Sequence, residues 1–275
     1  MQPARGAVAL ASTLVALLAV LAPAPAAAIQ FVSSLSSVKV QGEQGSVHFR
    51  EFRLKLSEGS EGALFRVKLE DWWQSPDGQR SHYAAPGTLE RSCARWVGVE
   101  PLQAQVAPGG ELVLNLAIRV PDRVPSGGYW CVLTVDEVPD LRQAPAGVGA
   151  IFSASISTGI FVEVGAVRRE ARITAVDLDA ASARVRVENT GDTPVGIEGR
   201  LEFLDAEGEA VRAVVDLARV TALTEPIRDR ILAAELPDRS ILPSGRYLVR
   251  AVLDYGAEHL IGVQRLVDVD RSAAP

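Results

Sequence analysis

Residues 121–136 read Pro121-Asp-Arg-Val-Pro-Ser-Gly-Gly-Tyr-Trp-Cys-Val-Leu-Thr-Val-Asp136, and residues 237–254 read Pro237-Asp-Arg-Ser-Ile-Leu-Pro-Ser-Gly-Arg-Tyr-Leu-Val-Arg-Ala-Val-Leu-Asp254. Each stretch is a Pro-Asp-Arg start, a Pro-Ser-Gly break, a tyrosine and an alternating run that ends in aspartate. The break separates two strands, and the tyrosine enters the second strand at its beginning. A ring in that place is buried while its hydroxyl bonds nearby backbone, as in the tyrosine corner of sandwich folds. A second pair of matching sites lies upstream. Ser60-Glu61-Gly62 precedes one strand, and Asn189-Thr190-Gly191 precedes Val195, Ile197, Leu201 and Phe203. Two copies of one β unit account for both matches.

The patterning around these stretches has a period of two. Apolar residues alternate with cations in Phe52-Arg53-Leu54-Lys55-Leu56 and in Phe65-Arg66-Val67-Lys68-Leu69. Leu112, Leu114, Leu116, Ile118 and Val120 continue the pattern. Alternation of this kind is a strand with one face on a core and one in water. Turn clusters break the strands at short intervals, among them Pro76-Asp77-Gly78 and Ala107-Pro108-Gly109-Gly110. The expected fold is all-β, with two immunoglobulin-like antiparallel sandwiches in tandem. A boundary is expected where the apolar run ending at Val164 gives way to Arg168-Arg169-Glu170. The segment 224–236 is open to two readings. Thr224 with Pro226 fits a helix start, and the register of the repeat favours a strand or loop.

Residues 1–28 stand apart from this pattern. One early cation, Arg5, is followed by an uncharged stretch from Gly6 to Ala28 with an apolar centre at Leu14–Leu21 and a small-residue end. That is the layout of a secretory signal cleaved after Ala28, the other reading being an uncleaved anchor. No other run is long and uncharged enough to span a bilayer, so no stable membrane insertion is expected after cleavage. The expected organisation is residues 1–28 as signal peptide, 29–165 as the first sandwich and 166–275 as the second, in an exported chain. Two cysteines, Cys93 and Cys131, are the whole complement. In an exported chain such a pair reads as a disulfide, the alternative being two buried thiols.

Charge and motif content narrow the function. The 28 Lys and Arg are outnumbered by 34 Asp and Glu, for a formal net charge of −6. The signs are interspersed, and without a clustered basic face nucleic acid is not an expected partner. His48, His82 and His259 are scattered without metal-ligand spacing. No nucleophile elbow or phosphate loop occurs. Asp177 with Asp179 and Asp268 with Asp270 offer oxygen ligands to a hard cation, but they read better as solvated surface carboxylates. The chain is expected to catalyse nothing and to hold no cofactor or metal. Trp72-Trp73, with His82-Tyr83 nearby, suggests an aromatic surface. Adjacent strand residues face opposite ways, so one of the two tryptophans is expected in the core and one partly exposed.

Residues 50–137 also carry a resemblance. In order they hold a charged strand, Asp71-Trp72, Gly78, Gly87, Arg91-Ser92, Trp96-Val97-x-Val99-Glu100-Pro101, Ala107-Pro108-Gly109, Val120-Pro121 and Gly127-Gly128-Tyr129-Trp130. This is similar to the amino-terminal domain of PapD-like periplasmic chaperones of the pilus-assembly type, over roughly residues 29–165. The second half is similar to a generic immunoglobulin-like domain. The resemblance implies a protein client, a fimbria-type or surface subunit, bound by β-strand addition. On the strand that follows Asp136-Glu137-Val138-Pro139 it implies partner contacts by Val148, Ala150, Phe152, Ala154 and Ile156, although the same strand reads equally as one that fills its own core. It further implies a cationic pair that holds the client's terminal carboxylate. Ser37 and Gly159 stand at those positions, and Lys39 lies two residues from the first. A structural or adhesion module of the cell envelope is the rival reading.

Overall fold

The computed structural model describes residues 31–58, 62–139 and 153–272. The residues 1–28 read as a signal, and Val148, Ala150 and Phe152, lie outside them. Among the described residues the regular structure is strand, apart from a single 3-10 turn at Ala94–Trp96. Two buried apolar clusters form, one from Val38 to Val164 and one from Val176 to Val269. Each sits between two sheets, which is the sandwich architecture.

In the first sandwich one sheet has the order β1 (Phe31–Ser33), β3 (Val47–Leu56), β8 (Glu111–Arg119), β6 (Val97–Glu100). The facing sheet runs β2 (Ser37–Gly42), β10 (Ser155–Val164), β9 (Gly127–Val138), β4 (Ala63–Gln74), β5 (Ser81–Ala84), and β7 (Gln103–Val106) also pairs with β4. All pairings are antiparallel except β2 with β10. The period-two residues behave as their pattern demands. Phe52, Leu54 and Leu56 are buried and Arg53 and Lys55 are exposed, while Leu112, Leu114, Leu116 and Ile118 face the same core. Strand β9 differs, because every residue from Gly127 to Val135 is buried. It is the central strand, and on its second face Gly128 abuts Thr193 and Pro194 of the other sandwich, Trp130 bonds the Trp72 carbonyl and Thr134 meets Ser157. Cys93 and Cys131 form a disulfide with Cα atoms 5.4 Å apart, which ties the 3-10 turn to β9.

The second sandwich pairs a three-stranded sheet, β11 (Ala171–Leu178), β12 (Ser182–Asn189), β15 (Asp229–Glu235), with a four-stranded one. The latter has the order β14 (Val211–Ala222), β13 (Val195–Leu204), β16 (Gly245–Asp254), β17 (Ile261–Val269). The open segment 224–236 is thus settled in favour of a strand.

The duplicated turn does the same work twice. Tyr129 donates its hydroxyl to the Pro125 carbonyl at 2.8 Å, and Tyr247 donates to the Pro243 carbonyl at 3.0 Å. Both rings are buried in their own cores. Burial pushes the Tyr129 phenol above its ordinary pKa.

One expectation fails. Neither Trp72 nor Trp73 is in the core; both are half-buried. Strand β4 leaves β9 after Glu70, and from Asp71 to Gln74 it pairs only with β5. The two tryptophans therefore sit on an overhanging two-stranded ribbon. The fully buried tryptophan is Trp130, whose Nε1 donates to the Trp72 carbonyl at 3.0 Å.

Candidate functional site

The two sandwiches meet over the outer face of the β2-β10-β9-β4-β5 sheet and leave a cleft of about 1160 Å³ between them. Its floor is set by the parallel ladder. Ser37 is opposite Gly159, Lys39 opposite Phe161 and Gln41 opposite Glu163, and all six line the cleft. Residues paired across a ladder share a face, so the three rows form one surface. Trp72 and Tyr83 extend it across the ribbon, and Arg219 and Tyr255 close it from the second sandwich.

The electrostatics of this floor follow from the partners. Glu163 accepts from Arg169 Nη2 at 2.5 and 2.6 Å, from Thr193 Oγ1 at 3.1 Å and from Gln41 Nε2 at 3.2 Å. It thus joins β10, β2, the connecting segment and the second sandwich. Lys39 is exposed and has no ion-pair partner among the described residues. The positions at which the resemblance implies cations, Ser37 and Gly159, carry no charge. A Cβ at Gly159 would lie 2.8 Å from the Phe161 ring, so an aromatic edge occupies that space.

Close approach of backbone holds the cleft in shape. The Gly128 N–H donates to the Asp192 carbonyl at 2.8 Å, and a Cβ at Gly128 would overlap Thr193 and Pro194. At the matching place in the repeat stands Arg246, which pairs at the surface with Asp268. The two copies thus differ at the residue where one must admit its neighbour. Asn189 is buried and fully used: Nδ2 donates to the Thr193 and Ala222 carbonyls, and Oδ1 accepts from the Gly191 N–H. It fixes the loop that meets Gly128.

Elsewhere at the junction the Arg91 N–H donates to Glu225 at 2.6 Å. Ile231 N–H donates to the Pro76 carbonyl at 2.8 Å and Arg230 Nη1 to the Ser75 carbonyl at 3.1 Å. Arg230 is buried beneath the hairpin tip, and burial lowers the pKa of its guanidinium. Asp71 is fully buried and accepts from the Leu89 N–H and the Ser92 hydroxyl. It anchors the loop that presents Arg91.

The cleft continues onto an open sheet edge. Strand β9 pairs with β10 along its whole length, Ser155 to Val164, while β2 covers β10 only from Gly159 onward. Among the described residues no strand pairs with the outer edge of Ser155–Thr158. Of the residues expected to contact a partner, Ala154 and Ile156 lie at this edge and Lys39 in the cleft. Ile156 is half-buried and packs on the first core, so its side chain faces its own sandwich.

Several of the other candidates are occupied. Asp179 caps the turn before β12, Asp268 pairs with Arg246 and Asp270 accepts from Ser272. His48 bonds the Ser46 hydroxyl, and His82 stacks on Trp73. Sequence reasoning missed the role of Glu163. The signal is that it is the only charge between Ile156 and Val167, and an isolated charge in an apolar strand needs a partner.

No protein-family model matches the chain, and no curated protein matches it. Among solved structures the YadV chaperone is similar with a TM-score of 0.48 and 14% identity, over 86% of this chain and 99% of that one. The Pseudomonas aeruginosa CupB2 chaperone is similar with a TM-score of 0.45 and 14% identity, over 87% of this chain and 100% of that one. A chain from the Salmonella enterica SafA pilin complex with the SafB chaperone is similar with a TM-score of 0.43 and 12% identity, over 86% and 97%.

Proposed function

We propose that this chain is a non-catalytic, periplasmic chaperone-like protein. In this reading residues 1–28 direct export, the sandwiches divide at 165/166, and an extended segment of a secreted or fimbria-type subunit is captured by strand addition. The observation that carries it is the half-covered β10. Its carboxyl half is paired on both sides, and its amino half, Ser155–Thr158, has an outer edge that no strand pairs with among the described residues and that leads into the cleft. Main-chain hydrogen bonds along such an edge supply affinity, and alternating side chains supply choice. Lys39 and the aromatic surface of Phe161, Trp72 and Tyr83 receive the end of the segment.

The test is capture of subunits by the chain with Phe152→Glu and Ala154→Glu against the unaltered chain. A loss of capture is expected, and unchanged capture removes this strand from the account. The uncharged Ser37–Gly159 pair favours a second reading, a structural or adhesion module of the cell envelope. Fractionation separates the two: soluble periplasm goes with the chaperone reading, and tight outer-membrane association with the module.

A further inference from the structure

Among the described residues the duplication leaves one strand position of the second sandwich unpaired. In the first copy the last strand, β10, is covered along its outer edge by β2 from Gly159 to Val164. In the second copy the last strand, β17, has β16 on one side and no hydrogen-bonded strand on the other among the described residues, although β11 of the facing sheet comes close to it. The strand runs for nine residues, pairs with β16 without a bulge and contains no proline. Natural edge strands are usually shortened, bulged, interrupted or covered, because an open ladder pairs with another chain. Strand β17 is also exposed on both faces from Gly262 to Leu266.

The outer face identifies what fits. Leu204 pairs with Leu248, and Leu248 pairs with Leu266. Cross-strand partners share a face, so the three leucines form a row across β13, β16 and β17. Exposure rises along it, from 3% at Leu204 to 50% at Leu266. The row stops at the sheet edge with an uncovered leucine.

We propose that the outer edge of β17 pairs antiparallel with β17 of a second copy of this chain, about a two-fold axis through Leu266. A two-fold contact uses one surface twice, so the surface must suit itself. This register places Leu266 against Leu266 and joins the two leucine rows into one. It sets Gln264 against Asp268 of the second copy. Gln264, oriented so that its carbonyl accepts from Arg250 Nε at 2.7 Å and Nη2 at 3.0 Å, keeps its amide hydrogens for that carboxylate. Arg265 falls opposite Val267. An axis through Arg265 would instead oppose like charges, which is unfavourable. The inference is independent of client capture, because the contact lies wholly on the second sandwich.

Sedimentation of the full chain across micromolar to submillimolar concentration tests it. The unaltered chain is expected to reach twice the monomer mass. Leu266→Lys, which sets two cations against each other, is expected to weaken association at least tenfold with an unchanged far-ultraviolet spectrum. Leu266→Cys is expected to give a covalent dimer under oxidation, and Val263→Cys none. A chain that stays monomeric throughout overturns the proposal. So does a Leu266→Lys chain that still dimerises, or cross-linking through Val263→Cys but not through Leu266→Cys.

Discussion

Ser37 stands directly across the parallel ladder from Gly159, and the ring of Phe161 lies against the glycine. That row is therefore neutral and partly aromatic, and Lys39, which has no ion-pair partner among the described residues, stands opposite Phe161 two residues further along the ladder. A carboxylate buried there without a cation would be costly. Affinity for an extended segment then has to come from main-chain pairing along β10, which makes the open edge of that strand the element on which the proposal turns.

The junction depends on the absence of a side chain at Gly128. Replacing it with the residue of the other copy, Gly128→Arg, forces Thr193 and Pro194 away. The expected result is a larger radius of gyration in small-angle scattering and two melting transitions in place of one. Both cores remain folded, because neither contains the altered residue.

The two tyrosine hydroxyls make equivalent bonds. Tyr129→Phe and Tyr247→Phe should each lower stability by about 1 kcal/mol, the usual net worth of such a bond. Urea denaturation measures it. Because the sites lie in separate sandwiches, the double variant should show the sum.

The disulfide closes a loop with a sequence separation of 38 residues. In the chain-entropy model its removal by paired serine substitution at Cys93 and Cys131 costs about 4 kcal/mol. The loss should fall on the first sandwich alone, and domain-resolved calorimetry reads it.

Asp179 is held at a pKa of about 2 by N–H donors of Ala181 and Ser182 and by the Ser182 hydroxyl. Its folded value lies below the ordinary one, so its contribution is complete above pH ~4 and is lost as the pH falls towards 2. An NMR titration should place its midpoint near 2, and Asp179→Asn should flatten the loss of melting temperature over that interval.

Much of this architecture was legible in the sequence because its physics is local. Alternation placed Phe52, Leu54 and Leu56 inward, and the Pro-Ser-Gly break located Tyr129 and Tyr247 at their corners. The pairing of Cys93 with Cys131 followed from compartment and count. What escaped depends on contacts between distant segments. Trp72 and Trp73 are kept out of the core by where β4 parts from β9, and nothing in their own neighbourhood announces that point. The burial of Arg230 needs the hairpin tip at Ser75–Gly78, which is some 150 residues earlier in the chain. One side of the cleft is tied together where Arg169 and Thr193 converge on the Glu163 carboxylate. Pairing order within the sheets, and with it the uncovered edge of β10, is likewise a property of the assembled sandwich.

The most direct measurement is amide hydrogen exchange along β10, for the chain alone and for the chain co-expressed with a fimbria-type subunit. In the free protein the outward-facing amides of Gly159–Val164 should be slow and those of Ser155–Thr158 fast. With the subunit the fast set should become slow. Protection that appears only on other strands, with Ser155–Thr158 still fast, would contradict capture by strand addition.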